Sequence, residues 1–372
     1  MVVKTRAAVL HEVNAPWVIE EVDLREPGPE EVLVRMVAAG LCHSDEHLVT
    51  GDLPVPLPAV GGHEGAAVVE RVGERVTSVA PGDRVVMSFI PSCGKCRRCA
   101  SGRQNLCELG AYLMLGTPIG GGDPVMTLGG TPLSPMSLVG CFAEHQVMNE
   151  ASVIKIDPEV PLEVAALVSC GVTTGWGSAV YVGRVGPGDV TVVIGIGGIG
   201  ANAVQGARMA GAKWIVAVDP VDFKREQAKI FGATHVAADV YAAYALVNEI
   251  THGELADQAI ITTDVARGDM IAPAMSLVKT GGAVVVTALA PFTQFEVKMS
   301  LFELTLYQKE LRGALFGGGN PRADIPKLLS LYKSGQLLLD ELVTRTYPLE
   351  GINDGYDDMR SGKNVRGVLA FD

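Results

Sequence analysis

The sequence predicts an α/β protein in two parts, a small β-rich, barrel-like part and a doubly wound parallel sheet. Three observations carry this. Before about Thr173, short β-type runs such as EVLVRMV, AAVVERV and DRVVMSFI are split by Pro and Gly. After it, continuous apolar strands alternate with helical stretches, the pattern of a parallel sheet covered on both faces. At 372 residues, the chain also exceeds what one compact core ordinarily holds. With 48% hydrophobic and 19% charged residues, the composition is that of a globular rather than a disordered chain.

The opening MVVKTRAAVLHEV is broken by charges and reads as a strand rather than a signal peptide. In the second part VTVVIG leads through a Gly turn into the helical ANAVQGARMAGA. WIVAVD precedes VDFKREQAKIFGA, HVAAD precedes YAAYALVNEI, and QAIITTD precedes a further helical stretch. GAVVVTALA and LRGALFG complete about six strands. From about Pro321 the pattern is mixed again, through DIPKLLSLYKSG, LVTRTYPL and VRGVLAFD, which suggests a return to the first part. No apolar run approaches the ~20 residues that span a bilayer, so no membrane is expected. The net charge of −12 disfavours a nucleic-acid partner, and the short run Lys95–Arg98 reads as a solvated rim. A cytoplasmic protein is expected, in which thiols stay reduced.

Residues 195–200 read GIGGIG, a G-x-G-x-x-G built on Gly195, Gly197 and Gly200, with Gly198 and Ile199 inside it. Alone the motif is weak, since Gly-rich turns are common. Its context raises it, because it follows an apolar strand and opens a helix whose N-terminus can take a pyrophosphate. Nineteen residues past Gly200 the next strand ends at Asp219. An acid there can hydrogen-bond a ribose 2′-hydroxyl and would repel a 2′-phosphate, which favours NAD over NADP. The plain alternative for Asp219 is a strand-end cap.

Four of the seven cysteines fall in SCGKCRRCASGRQNLC, spaced C-x2-C-x2-C-x7-C through Cys93, Cys96, Cys99 and Cys107. One loop can bring all four thiolates to a single ion, a closed tetrahedral site of the structural zinc kind. An iron–sulfur cluster or a redox thiol pair would use the same residues, but nothing else in the chain suggests electron relay. A closed site leaves no open position for substrate, so chemistry is sought among scattered ligands: Cys42 in GLCHSDEH, His63 and Glu64 in GGHEG, Cys170 in VSCGVTTG. Two thiolates and one imidazole leave a fourth position for water or substrate. Taken singly, Cys170 reads as a buried small hydrophobe and His63 as a satisfied core histidine.

In family order, GLCHSDEH, GGHE, the four-cysteine lobe, SCGVTTGWGSA, GIGGIG and SGKNVRG resemble the zinc-dependent alcohol dehydrogenases of the medium-chain dehydrogenase/reductase superfamily. The resemblance covers nearly the whole chain. It implies a GroES-like β-rich catalytic domain over 1–172 and 321–372, and a Rossmann coenzyme domain over 173–320. It also implies two zinc ions. Cys42, His63 and Cys170 would hold the catalytic one, with Glu64 as a neighbouring acid, and Cys93, Cys96, Cys99 and Cys107 the structural one. Ser44 would pass the substrate proton through the cofactor ribose to His47; the plain reading of HSDEH is a capped helix start with an exposed first-turn histidine.

For the cofactor, the resemblance puts Asp219 on the adenosine ribose with Lys224 near it, and Arg366 on the pyrophosphate. It also puts His43 where many relatives carry an arginine against the same phosphate. Phe89, Tyr112 and Leu289 would shape the substrate pocket, and Cys141 is left over as a buried free thiol. The long stretch from Cys107 to about Val139 resembles the dimer-forming branch. Ala67 departs from a usual glycine, which puts the loop behind the metal in question.

Within the family, FIPSCGKC, DPVDFKREQAKIFGATHV, LFGGGNPRADIPKLLSLYKSG and INDGYDDM resemble actinobacterial nicotinoprotein alcohol dehydrogenases. That implies oxidation of primary alcohols to aldehydes with NAD kept as a prosthetic group and reoxidised by an acceptor such as mycofactocin. Two alternatives stand beside it. One is the same chemistry with exchanging NAD, including a glutathione-type formaldehyde dehydrogenase; the other is a catalytically silent NAD-binding regulatory protein.

Overall fold

The computed structural model describes residues 2–371. The chain forms two units, one running up to Cys170 and resuming at Asn320, the other Gly171–Gly319. The first unit holds a closed barrel of the strands Val3–Leu10, Val18–Leu24, Met126–Leu128, Thr131–Pro135 and Ala59–Val60. Beside it a second sheet runs Val153–Lys155, Arg84–Met87, Gly65–Val72, Glu31–Gly40, Arg366–Ala370 and Val343–Tyr347. Glu31–Gly40 also pairs with His145–Asn149. This explains why EVLVRMVAAG is buried at eight of its ten positions, since a central strand has no solvent face to make polar.

The C-terminal strand Arg366–Ala370 lies antiparallel on Glu31–Gly40, with Val368 opposite Gly40. The Leu41 N–H donates to the Gly367 carbonyl at 2.9 Å, so the last strand fixes the backbone immediately before Cys42. On the other side, Gly65–Val72 pairs with Glu31–Gly40 and starts directly after His63–Glu64. Ala67 sits fully buried inside that strand, opposite Met36 and Val85, and not in the loop behind the metal cluster. Gly65 is the position with no room, because a Cβ there would come within 2.7 Å of the Cys141 sulfur. Trp17, Phe142 and Tyr356 fill the core close by, with Trp17 edge-on to Phe142 at 5.7 Å between centroids.

The second unit is a six-stranded sheet in the order His235–Ala237, Trp214–Val218, Val190–Ile194, Ala256–Ile261, Val278–Val286, Glu310–Gly313. Every pairing in it is parallel. The chain starts mid-sheet at Val190–Ile194, builds to one edge, then crosses to build the other. The strand order therefore reverses beside the C-terminal end of Val190–Ile194, the place where open α/β sheets bind ligands. GIGGIG comes directly after that strand. Among the described residues no single helix is long and apolar enough to cross a membrane.

Candidate active site and metal centres

Within the second unit, the helix Gly198–Ala210 starts at the glycine turn with Gly197 as its N-cap. The three motif glycines have three separate jobs. Gly195 has φ +94°, and a Cβ there would lie 2.8 Å from the Thr263 backbone. A Cβ on Gly200 would fall 1.9 Å from the Gly195 carbonyl oxygen, so helix and turn pack only around glycine. At Gly197 nothing lies within 4 Å of where a Cβ would stand, which leaves the backbone face open to a phosphate. Gly198 and Ile199 form the first turn of that helix. The Asp219 carboxylate accepts from the Ile196 N–H at 2.8 Å and the Val221 N–H at 2.9 Å. These bonds hold it rigid at the turn, and four lone-pair sites on a carboxylate leave acceptor capacity for a diol. Lys224 stands five residues on, half-buried in the helix Asp222–Phe231. Next to it Arg225, which sequence reasoning passed over, donates to the Asp219 carbonyl at 2.6 Å.

In the first unit the four lobe sulfurs lie within 4.8 Å of one another. The Cys93–Cys99 and Cys96–Cys107 sulfurs are each 3.9 Å apart. A tetrahedron with Zn–S bonds of about 2.3 Å has edges of about 3.8 Å, so the spacing fits zinc. Backbone N–H groups of Cys96, Cys99 and Glu108 point at these sulfurs, at 3.3 to 3.5 Å. The Glu108 and Cys99 N–H groups pull the Cys96 thiol down to about 6, while burial pushes Cys107 up to about 12. Four thiols this close cannot all ionise without a cation between them, and a zinc ion held by them would supply that charge.

The second cluster joins Cys42, His63, Glu64 and Cys170, all buried, with ligand atoms within 4.8 Å of one another. Cys42 is the N-cap of the helix His43–Val49, His63 and Glu64 precede the strand Gly65–Val72, and Cys170 ends a 3-10 turn. Asp45 accepts from His63 Nδ1 at 3.2 Å and from the Gly62 N–H at 2.8 Å. That leaves His63 Nε2 buried without a partner, the nitrogen a metal would take. The Cys170 thiol donates to Cys42 and, with His63, holds the Cys42 thiol well below its ordinary value, while Cys170 is raised by Cys42 and by burial. Burial opposes charge on His63, but Asp45 and Cys42 outweigh it and raise the imidazole well above its ordinary value. Two thiols and a histidine sharing protons in this way form a donor set that a divalent cation deprotonates fully. Asp45 was missed in the sequence; its signal is an acid three residues after a ligand cysteine at a helix start.

Around this cluster, Phe89 lies edge-on to His63 at 5.5 Å between centroids. Ser44 is half-buried with its Oγ 3.8 Å from the Cys42 sulfur. The structure places His47 only 2% exposed, in the last turn of its helix and not at an exposed first turn. His43 packs edge-on against it at 5.4 Å. Arg366, 5% exposed, pairs with the fully buried Glu64. Removing one partner of such a buried pair costs about 3–5 kcal/mol. Cys141 is fully buried, where desolvation holds its thiol well above the ordinary value. Tyr112 sits half-buried in the turn Glu108–Tyr112, whereas Leu289 belongs to the other unit, on its surface.

Residues 28–158 match the alcohol dehydrogenase GroES-like domain family, and residues 198–334 match the zinc-binding dehydrogenase family. Alcohol dehydrogenase B of Mycobacterium tuberculosis is 49% identical over 369 residues, which is 99% of this chain and 98% of that one. The chain belongs to the zinc-dependent alcohol dehydrogenases of the medium-chain dehydrogenase/reductase superfamily. It is an oxidoreductase that uses zinc and NAD, with a GroES-like part and a Rossmann part. The NDMA-dependent alcohol dehydrogenase of Amycolatopsis methanolica is 51% identical over 370 residues, with 98% of each chain covered. Among solved structures, benzyl alcohol dehydrogenase from Acinetobacter calcoaceticus superposes with a TM-score of 0.91 at 30% identity, and both chains are fully covered.

Proposed function

We propose that this dehydrogenase oxidises primary alcohols to aldehydes with NAD(H) held in place as a prosthetic group. The observation that carries this reading is the 51% identity, over 98% of both chains, to a relative whose name makes it NDMA-dependent. Dependence on an added compound fits a cofactor that is recharged where it sits. Mycofactocin, or another external carrier, is then the natural acceptor.

When bound, zinc supplies Lewis acidity that makes an alcohol hydroxyl acidic, and NAD supplies the hydride acceptor. Cys42, His63 and Cys170 hold that zinc with one position left for substrate, and Asp45 fixes the His63 ring. Phe89 forms a wall of the substrate pocket, with Tyr112 and Leu289 as further pocket residues. Ser44 takes the hydroxyl proton and His47, one helical turn on, receives it from the relay. Gly195–Gly200 and Asp219 seat the dinucleotide, with Lys224, His43 and Arg366 toward its ribose and phosphates. Cys93, Cys96, Cys99 and Cys107 hold the structural zinc.

A cytoplasmic homodimer is the proposed form. Supporting the dimer, Leu301, Phe302 and Leu306 are 70%, 61% and 65% exposed, a few residues before the edge strand Glu310–Gly313. Light scattering on the purified protein checks it, and a monomer mass counts against it. The main reading is tested by desalting the protein exhaustively, denaturing it and measuring nicotinamide cofactor released per chain. A value near one is expected. A value near zero means that NAD exchanges at each turnover, and the prosthetic-group reading falls.

A further inference from the structure

The helix His43–Val49 places Ser44 and His47 three residues apart, on one face. The loop after this helix is tightly constrained for a surface turn. Thr50 closes the helix, and Gly51, at φ +79°, turns the chain back. The Leu53 N–H then bonds the His47 carbonyl at 3.0 Å, which pins the returning chain against the helix. The turn brings the Asp52 carboxylate to 3.0 Å from His47 Nδ1. The Thr50 hydroxyl donates to the same carboxylate oxygen at 2.7 Å. Those two groups, Thr50 first and then His47, hold the Asp52 carboxyl below its usual range, so it is a carboxylate at neutral pH.

A carboxylate only accepts, so His47 Nδ1 carries the hydrogen and Nε2 is the basic nitrogen. His47 is 2% exposed and the Asp52 side chain 25% exposed, so Asp52 is the wetter end of the pair. The bonded Asp52 carboxylate selects one tautomer of the buried imidazole and supplies a negative charge beside an imidazolium formed there.

We propose that Asp52 is a positioning residue for the proton relay: it fixes His47 in the Nδ1–H form and stabilises the imidazolium formed when Nε2 takes the proton. The alcohol O–H bond breaks and a His47 Nε2–H bond forms. The proton then leaves Nε2 for water, and Nδ1–H is kept throughout. This rests on the reading in which Ser44 and His47 carry the substrate proton.

The test is a double-mutant cycle in single-turnover hydride transfer at neutral pH, using the zinc-loaded enzyme with bound cofactor. Asp52→Asn is expected to slow the step about tenfold, below the roughly 100- to 10,000-fold that a positioned general base itself contributes, because the base His47 is still present. KM should stay within about twofold of wild type, and Asp52→Glu should restore most of the rate. In a His47→Gln background, Asp52→Asn should cost nothing further, because it acts through His47. Equal slowing in both backgrounds would make Asp52 merely structural and overturn the proposal, as would a wild-type rate for Asp52→Asn. A wild-type rate for His47→Gln would instead remove the relay reading itself. Should Asp52→Asn not fold, ¹⁵N NMR of the wild-type histidines decides. His47 as the Nδ1–H tautomer is expected, and the Nε2–H tautomer overturns the proposal.

Discussion

The four-cysteine lobe takes its ligands from one run of sixteen residues, Ser92–Cys107, whereas the Cys42–His63–Cys170 cluster joins positions 128 residues apart. Cys93 and Cys96 of the lobe are partly exposed, and its N–H···S bonds come from its own backbone. The second cluster is wholly buried, and its histidine is oriented by Asp45, a side chain from another element. A contiguous loop can fold around its ion and be complete with four thiolates. A cluster assembled from distant elements depends on the whole sheet, and its two thiols and one imidazole would leave one position on a zinc ion for substrate. The same metal can thus hold a fold in one place and supply reactivity in the other.

The largest effect that would break this comparison is at Cys170. Cys170→Ala should bring turnover to background and lower zinc from two to one per chain, with far-UV circular dichroism unchanged. Wild-type activity in that variant would sink the catalytic assignment. The complementary change, Cys99→Ser, should also remove one zinc. Its cost appears in stability, as a fall in Tm on the order of 5 °C, while kcat at low temperature stays near wild type. Metal analysis beside thermal melts separates the two variants. If both lose activity and stability alike, the division of labour is wrong.

The same division governs how much was legible in the sequence. GIGGIG and the four-cysteine lobe carry their geometry in their spacing, so neighbouring residues sufficed to propose a phosphate turn and a closed ion site. The six apolar strands of the second unit were equally readable, because strands buried on both faces show as continuous runs. Cys170 is different. Nothing near it points to Cys42 or His63; donor chemistry made the three candidates and the resemblance made them one ligand set, because their meeting depends on how distant strands pair. Asp45, Asp52 and Arg225 were passed over for a related reason. An acid at a helix start has an ordinary capping role, and an acid in the turn after a helix or an arginine on its surface reads as solvated, while the true partner is set by the next turn of the chain or by a distant strand. Burial was the other blind spot, since a histidine in HSDEH looks exposed until Asp52 folds back over it.

Asp45→Asn probes the oriented cluster more gently. Loss of the carboxylate beside His63 Nδ1 should lower zinc affinity or kcat by roughly 10- to 100-fold, the usual cost of an orienting partner. Zinc retention under chelator competition, read alongside kcat, measures it. The lobe has no such side chain, so its own zinc should resist the chelator in this variant as it does in wild type.

The smallest effect concerns the lobe's thiols when the metal is gone. In zinc-stripped protein Cys96 is a partly exposed thiol, drawn down to about 6 by the Glu108 and Cys99 N–H groups, whereas Cys107 is pushed up to about 12 by burial. The thiolate is the reactive form, and its fraction grows as pH rises through the pKa. Alkylation of Cys96 should therefore increase through pH about 6 and level off by neutrality, with Cys107 still unmodified. Peptide mapping after brief iodoacetamide treatment at several pH values reads this directly. A Cys96 rate that rises only near the ordinary thiol value of about 8.5 would mean that the N–H contacts form only around the ion. The lobe would then be organised by its zinc and not ready for it, which would set it further from the catalytic cluster, whose donors the sheet holds together.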